Sequence, residues 1–227
     1  MTSLSDLYQY VRVQTQTQAD ELPDATINAY LQQAFERTIA AHNSWPFYEQ
    51  TWFITQPAGS ATADLPGDVV ESRIITLVSP EGYRLQMVAP ETALLAYGSA
   101  PSTAYPREYS LWGDKIMFWP EQSHADDRSY VLFGFRRPAA WSGLLPAESP
   151  DCDERLHLPL ASYAIALAYA QQEDEVLETT YMARWQNDVE MAAKAIMEPA
   201  HRRPLTMGPH YRATKPGFPF VVNTGGL

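Results

Sequence analysis

The sequence predicts an α+β fold: an antiparallel bundle of about four helices that carries an inserted β-rich module and ends in an extended C-terminal arm. Residues 159–197 form the longest periodic apolar stretch, which is typical of packed helices. Residues 45–138 are instead dense in aromatics, Pro and Gly, and their apolar runs are short, as in strands. Residues 199–227 carry Pro204, Pro209, Pro216, Pro219 and four glycines, a composition that disfavours a helix.

Two helices are predicted before the β-rich module. The first covers residues 3–14, where Ser3 can cap the N-terminus and Asp6 lies in the first turn. The second follows Pro23, and Asp24 is its predicted N-cap. Its core-facing stripe runs over four turns and comprises Ile27, Tyr30, Leu31, Ala34, Phe35, Ile39 and His42.

The module is predicted to contain six strands and one short helix. The strands cover residues 49–55, 73–78, 83–88, 108–112, 115–119 and 130–136. Gly113-Asp114 has the length of a two-residue hairpin loop. Pro90 can open a helix over residues 91–97 that ends at Gly98. A further short strand is predicted at residues 155–158.

Two long helices close the folded part of the chain. They meet at Glu173-Asp174-Glu175, where Asp174 is the predicted N-cap of the second. We expect the two helical halves to share a core formed by Ile27, Tyr30, Leu31, Phe35, Ile39, Leu167, Tyr181, Trp185 and Ile196. The predicted segments are therefore N-terminal helices (1–44), β-rich module (45–138), connection and long helices (139–198), and basic arm (199–227).

Charge is distributed unevenly along the chain. The net charge is −11, yet residues 201–227 hold four basic residues and no acidic one. The preceding 200 residues hold 12 Lys and Arg against 27 Asp and Glu, a net charge of −15. This balance argues against a protein that coats duplex DNA, which needs a basic surface. No signal peptide or membrane-spanning run is recognisable, so we expect a soluble protein.

The sequence lacks the motifs of common catalytic and metal sites. It contains no nucleophile elbow, phosphate-binding loop or dinucleotide fingerprint, and its five histidines lack metal-ligand spacing. Cys152 is the only cysteine, and its acidic neighbours would raise the thiol pKa. We therefore predict no enzymatic activity, no metal and no cofactor.

Aromatic residues of the module suggest an alternative function. They could line a groove that binds a sugar or a receptor peptide, as in a carbohydrate- or receptor-binding β module, although aromatics on short strands more often form a core. The residues concerned are Trp45, Phe47, Tyr48, Trp52, Phe53, Tyr105, Trp112, Phe118 and Trp119.

The order of these segments, together with two short motifs, resembles a known family. One motif is L-P-G-D at residues 65–68, and the other is Y-S-L-W-G-D-K-I-M-F-W-P at residues 109–120. With the flanking helix pairs they resemble the head-to-tail adaptor proteins of tailed bacteriophages, also called head-completion or connector proteins. The likeness covers roughly residues 20–198.

The resemblance implies a structural protein of the virion neck. Such proteins form a ring, usually of twelve copies, below the portal; the ring extends the DNA channel and docks a downstream tail or stopper protein. It implies assembly in the host cytoplasm, DNA that passes without specific binding, and neither enzymatic activity nor cofactor. The acidic body agrees, because carboxylates repel phosphates and leave the channel free of strong contacts.

The C-terminal arm is the predicted partner-binding element. Its basic residues can hold it to an acidic surface, and its terminal apolar cluster can fill pockets on another subunit or on the portal. The predicted contact residues are Arg202, Arg203, Tyr211, Arg212, Lys215, Phe218, Phe220 and Val221.

Overall fold

The computed structural model describes residues 3–42, 44–98, 105–120 and 125–202, with side chains up to residue 197. This part of the chain contains five α-helices and seven strands. The helices are α1 (Leu4–Thr15), α2 (Asp24–Ala40), α3 (Pro90–Tyr97), α4 (His157–Gln171) and α5 (Glu175–Arg202). The strands are β1 (Glu49–Gln56), β2 (Thr62–Asp64), β3 (Val69–Val78), β4 (Arg84–Met87), β5 (Glu108–Trp112), β6 (Lys115–Trp119) and β7 (Arg128–Arg136).

Helix α4 is the centre of the helical part. It is rich in alanine and buried on nearly every side, and α1, α2 and α5 all pack against it. Small side chains let neighbouring helices approach closely, so one apolar helix can serve three partners. Ile27, Leu31 and Phe35 of α2 are buried in this first core, as predicted, and Tyr181 and Trp185 of α5 pack against it.

The seven strands form one sheet in the order β1-β7-β3-β4-β5-β6-β2. Neighbouring strands are antiparallel, except that β4 and β5, which are joined through α3, run parallel. The outermost strands β1 and β2 contact each other, so the sheet curls into a nearly closed barrel. Its interior is a second core that includes Trp52, Leu77, Phe118, Tyr130 and Leu132.

Helix α3 covers part of the outside of this barrel. It packs on β5 and β6 through Ala93, which is buried. Beneath it, the indole nitrogen of Trp119 donates a 2.9 Å hydrogen bond to the hydroxyl oxygen of Ser110. Trp119 and Ser110 alternate with strand residues that fill the barrel, and both are buried because α3 covers them.

A third core joins the barrel to the helices. Trp45 and Tyr48, which precede β1, pack with Phe135 at the end of β7 and with Leu156 and Ile196. Ile196 was predicted in the core between α2 and α5, and it lies here instead. Since α5 spans 28 residues, or roughly 42 Å at about 1.5 Å per residue, one helix reaches both cores.

The predicted bundle with an inserted module is wrong. The described residues form a mixed α/β structure in which a seven-stranded, nearly closed sheet stands beside the helices and shares a core with α5. Sequence periodicity reports which face of an element is buried, but not which strands pair, so it could not reveal the closure. Strand β2 was missed because three residues are too short to show alternation.

Several local predictions also need correction. Residues 155–158 do not form a strand: a short 3-10 turn (Glu154–Leu156) leads directly into α4. Asp24 is the first residue of α2, not its cap, and Pro23 occupies the cap position. Helix α5 continues through Pro199 to Arg202, so the first four residues of the predicted extended arm are helical. Residues 203–227 lie outside the described residues.

Candidate interaction surfaces

The predicted partner-binding arm lies mostly outside the described residues. Arg202 is the last residue of α5. The other seven residues of that prediction, from Arg203 to Val221, lie outside the described residues. The candidate surfaces that the structure does describe are on the barrel and on the helices.

An ion pair fixes the end of β7 to the connection before α4. The guanidinium of Arg136 donates two hydrogen bonds, of 2.6 and 2.7 Å, to the carboxylate of Asp151. The backbone N–H of Ala139 donates a third, and these bonds hold the pKa of Asp151 below its ordinary value. The hydroxyl of Tyr48 donates to the Asp151 carbonyl oxygen, and Arg136 lies over its ring. This joint fixes the barrel relative to the helices.

The outer β face is the first candidate surface; we define it as Phe53 on β1, Ile75 on β3, and Val131 and Phe133 on β7. Phe53 lies directly opposite Val131. The alternate residues Trp52, Ile54, Tyr130 and Leu132 point into the barrel core. Phe53 is 79% exposed and Ile75 is 61% exposed. Val131 and Phe133 are partly buried, so the exposed apolar surface of this face comes mainly from Phe53 and Ile75.

A shallow groove between the start of α4 and α5 is the second candidate surface. It is lined by Arg155, Leu158, Pro159, Asp188, Met191 and Ala192. Leu158 and Met191 are largely exposed, whereas the guanidinium of Arg155 is held by a 2.9 Å bond to the Ala195 carbonyl oxygen. The groove has the mixed apolar and charged character of a protein contact, but it is too open to enclose a small ligand.

The corner between α4 and α5 is acidic. Glu173 and Glu175 are exposed there and Glu178 is partly exposed. Asp174 accepts a 3.0 Å hydrogen bond from the Leu177 N–H, as its predicted capping role requires. These carboxylates lie at the N-terminal end of α5, where they complement the helix dipole. The corner is thus explained by helix capping and solvation.

The cysteine and the histidines form no metal-ligand cluster in the described part of the chain. No three His, Cys, Asp or Glu side chains lie together as metal ligands there. Cys152 is partly buried between the first and third cores. Burial, together with Asp151 and Asp153, raises its pKa to about 12, which disfavours a reactive thiolate. Nor is any described helix sufficiently long and apolar to span a membrane.

Most aromatics of the alternative sugar-binding groove are not available at the surface, and Phe47, which stacks on Trp45, belongs to the third core. Trp45, Tyr48, Trp52, Phe118 and Trp119 are buried in the cores or beneath α3. Phe53, Tyr105 and Trp112 are exposed, but Phe53 lies on β1 and Trp112 on β5, which are not neighbours in the sheet. The described residues therefore provide no continuous aromatic groove.

A sequence profile of the SU10 adaptor protein family matches residues 2–211, which includes both helical halves and the whole barrel. The chain belongs to the SU10 adaptor protein family. It is thus a bacteriophage adaptor, a structural virion component that contacts other phage head or tail proteins. The predicted resemblance to phage head-to-tail adaptors is confirmed. No curated protein matches the chain.

In this member of the SU10 adaptor family, the residues that match the family profile include only the first part of the predicted arm. Arg202, Arg203 and Tyr211 fall within the matched residues, whereas Arg212, Lys215, Phe218, Phe220 and Val221 follow them.

The outer β face was not predicted from the sequence, although a signal for it existed. The runs Trp52–Phe53–Ile54 and Tyr130–Phe133 are apolar on both strand faces, a pattern that indicates two covered faces rather than one.

Proposed function

We propose that this adaptor forms a ring of twelve copies below the portal, where it extends the DNA channel and docks the tail. The observation that carries the proposal is the family match over residues 2–211. Two exposed surfaces with apolar side chains, the outer β face and the groove beside α5, support it. A subunit with contacts on two sides can join a neighbour through each, and such head-to-tail contacts form a ring when the rotation from one subunit to the next closes.

The acidic body suits a channel that DNA must traverse. With a charge of −15 over residues 1–200, subunits in a ring would repel the phosphate backbone and not retain it. DNA would then pass without specific binding. The role is structural and requires neither enzymatic activity nor a cofactor.

The partners of the ring are the portal on one side and a downstream tail or stopper protein on the other. The C-terminal arm contributes contacts to the portal or to a neighbouring subunit, with Arg202, Arg203, Arg212 and Lys215 on acidic surface. Tyr211, Phe218, Phe220 and Val221 would supply apolar contacts. The site of action is the virion neck, after assembly in the host cytoplasm.

Electron microscopy of the purified protein, with and without its portal, tests the proposal. Rings in either sample, or a ring bound coaxially to the portal, are the expected result. Particles that stay monomeric or trimeric with the portal, and that bind a glycan, would contradict the proposal. They would favour the alternative function, a carbohydrate- or receptor-binding β module of a phage tail.

A truncation tests the arm separately. Since α5 ends at Arg202, the truncation should follow that residue and leave both ends of the helix intact. We expect a folded subunit with unchanged thermal unfolding that fails to assemble. Normal assembly of the truncated protein would exclude a role for residues 203–227.

A further inference from the structure

The outer β face has the composition of a covered surface. Phe53 and Val131 are direct cross-strand neighbours, Phe133 lies opposite Thr51 and Thr76, and Ile75 lies beside them on β3. When one face of an antiparallel sheet is in water, the residues on that face are normally polar and alternate along each strand with the apolar residues of the buried face. Burial of an exposed phenylalanine removes apolar surface from water, so a face of this kind is suited to binding another segment.

Helix α5 leads the chain toward one end of this face. Its last turns contribute Ile196 to the third core, where it packs with Phe135 and Tyr48, and Met197 packs against that core. Phe135 is two residues along β7 from Phe133, and it is paired with Glu49 at the start of β1. The third core therefore covers one end of the face and leaves the rest of it uncovered.

The sequence beyond α5 has the chemistry that such a face would bind. Residues 203–227 contain no acidic residue, and Phe218 and Phe220 are separated by one proline. In an extended segment, residues two apart lie on the same side, so both rings can contact one surface. Arg212 and Lys215 precede them, and the exposed carboxylates of Glu49 and Glu71 lie near the covered end of the face.

We propose that the outer β face binds residues 216–222 of a neighbouring copy, with Phe218 and Phe220 packed on Phe53, Val131 and Phe133. This deepens, and rests on, the proposed ring. The 15 residues 203–217 can span at most about 50 Å, which is enough to cross to an adjacent subunit. Every copy has one such face and one such segment, so each copy can bind the next around a closed ring.

A binding experiment tests the face directly. The full chain with Phe218→Ser and Phe220→Ser, whose own segment no longer competes, is titrated with a fluorescent peptide of residues 210–227. We expect saturable binding that weakens at least tenfold when Phe53→Ser is added. Trp112→Ser, at an exposed aromatic on β5, is the matched control and should change affinity less than twofold. No binding up to millimolar peptide, or equal losses for the two variants, would overturn the proposal.

Cross-linking decides which copy supplies the segment. In a Cys152→Ser background, protein with Thr55→Cys is mixed with protein carrying Asn223→Cys and treated with a bismaleimide. Cross-linked dimers in the mixture are expected. Cross-linking only when both cysteines are in one chain would assign the segment to its own subunit and overturn the proposal. If the mixture cross-links but microscopy finds no ring, the proposed ring fails while the contact between copies stands.

Discussion

At the scale of single residues, His157 is the buried group whose charge matters most near neutral pH. It begins α4 and is 3% exposed. Burial lowers the pKa of its imidazole below the ordinary value of 6.5, and the carboxylates of Glu154 and Asp153 oppose this shift only in part. The folded state therefore binds a proton at His157 less readily than the unfolded chain does.

The first prediction follows from that difference. Below pH 6.5 the unfolded chain gains more protons at this site, so the free energy of unfolding should fall as the pH drops from 7 to 5. His157→Leu should make stability less dependent on pH, as measured by urea midpoints at both pH values. An unchanged slope in His157→Leu would contradict the assignment.

Gly134 on β7 supports a second prediction. A Cβ atom there would lie 3.2 Å from the Arg73 carbonyl oxygen and 3.3 Å from the Ile74 Cα atom, both in the backbone of β3. Since backbone cannot move as a flexible side chain does, Gly134→Ala should lower the free energy of unfolding by about 1–3 kcal/mol. Gly67→Ala, where nothing lies within 4 Å, should change it by less than about 0.5 kcal/mol. Equal urea midpoints for the two variants would show that β3 can shift.

At the scale of elements, Trp185 connects three helices. From α5 its ring packs edge-on against Tyr163 of α4 with centroids 4.9 Å apart, and its indole nitrogen donates a 3.1 Å hydrogen bond to Thr38 of α2. Thr38 is fully buried, so its hydroxyl depends on that partner. One side chain therefore holds α5 against both α2 and α4.

We expect Trp185→Ala to cost about 3–5 kcal/mol, through lost packing and the lost bond to Thr38. Trp112→Ala is the matched control, because Trp112 is 63% exposed and should contribute less than about 0.5 kcal/mol. Chemical denaturation of both variants measures the difference. If Trp185→Ala unfolds at the same denaturant concentration as wild type, the helices do not depend on this contact.

At the scale of the whole molecule, the separation of charge between body and C-terminal segment predicts weak DNA binding. At 150 mM salt the full chain should bind duplex DNA with a Kd weaker than about 100 μM in a gel-shift assay, since the acidic body repels phosphates. Any binding at low salt should disappear when Arg203, Arg212 and Lys215 are changed to Gln. Tight binding that survives those substitutions would contradict the proposed channel.

The sequence by itself determined most of the local elements and the family. The hairpin strands Glu108–Trp112 and Lys115–Trp119 were predicted to the residue, and α3 ends at Gly98, which has a left-handed φ of 67°. Ser3 and Asp6 form the reciprocal cap at the start of α1. These features depend on residues only a few positions apart, so they can be predicted from hydrophobic periodicity and from the residue types that favour turns and caps.

Only the tertiary structure decided how those elements close on one another. The pairing of β1 with β7, the curl that brings β1 to β2, and the burial of Cys152 all join residues far apart in the chain. No local pattern encodes which distant strand will be a neighbour. Trp52 and Phe53 are both large aromatic residues on β1, yet Trp52 fills the barrel and Phe53 is 79% exposed. Which face of a strand is buried depends on the elements that pack on it, and those are distant in the sequence.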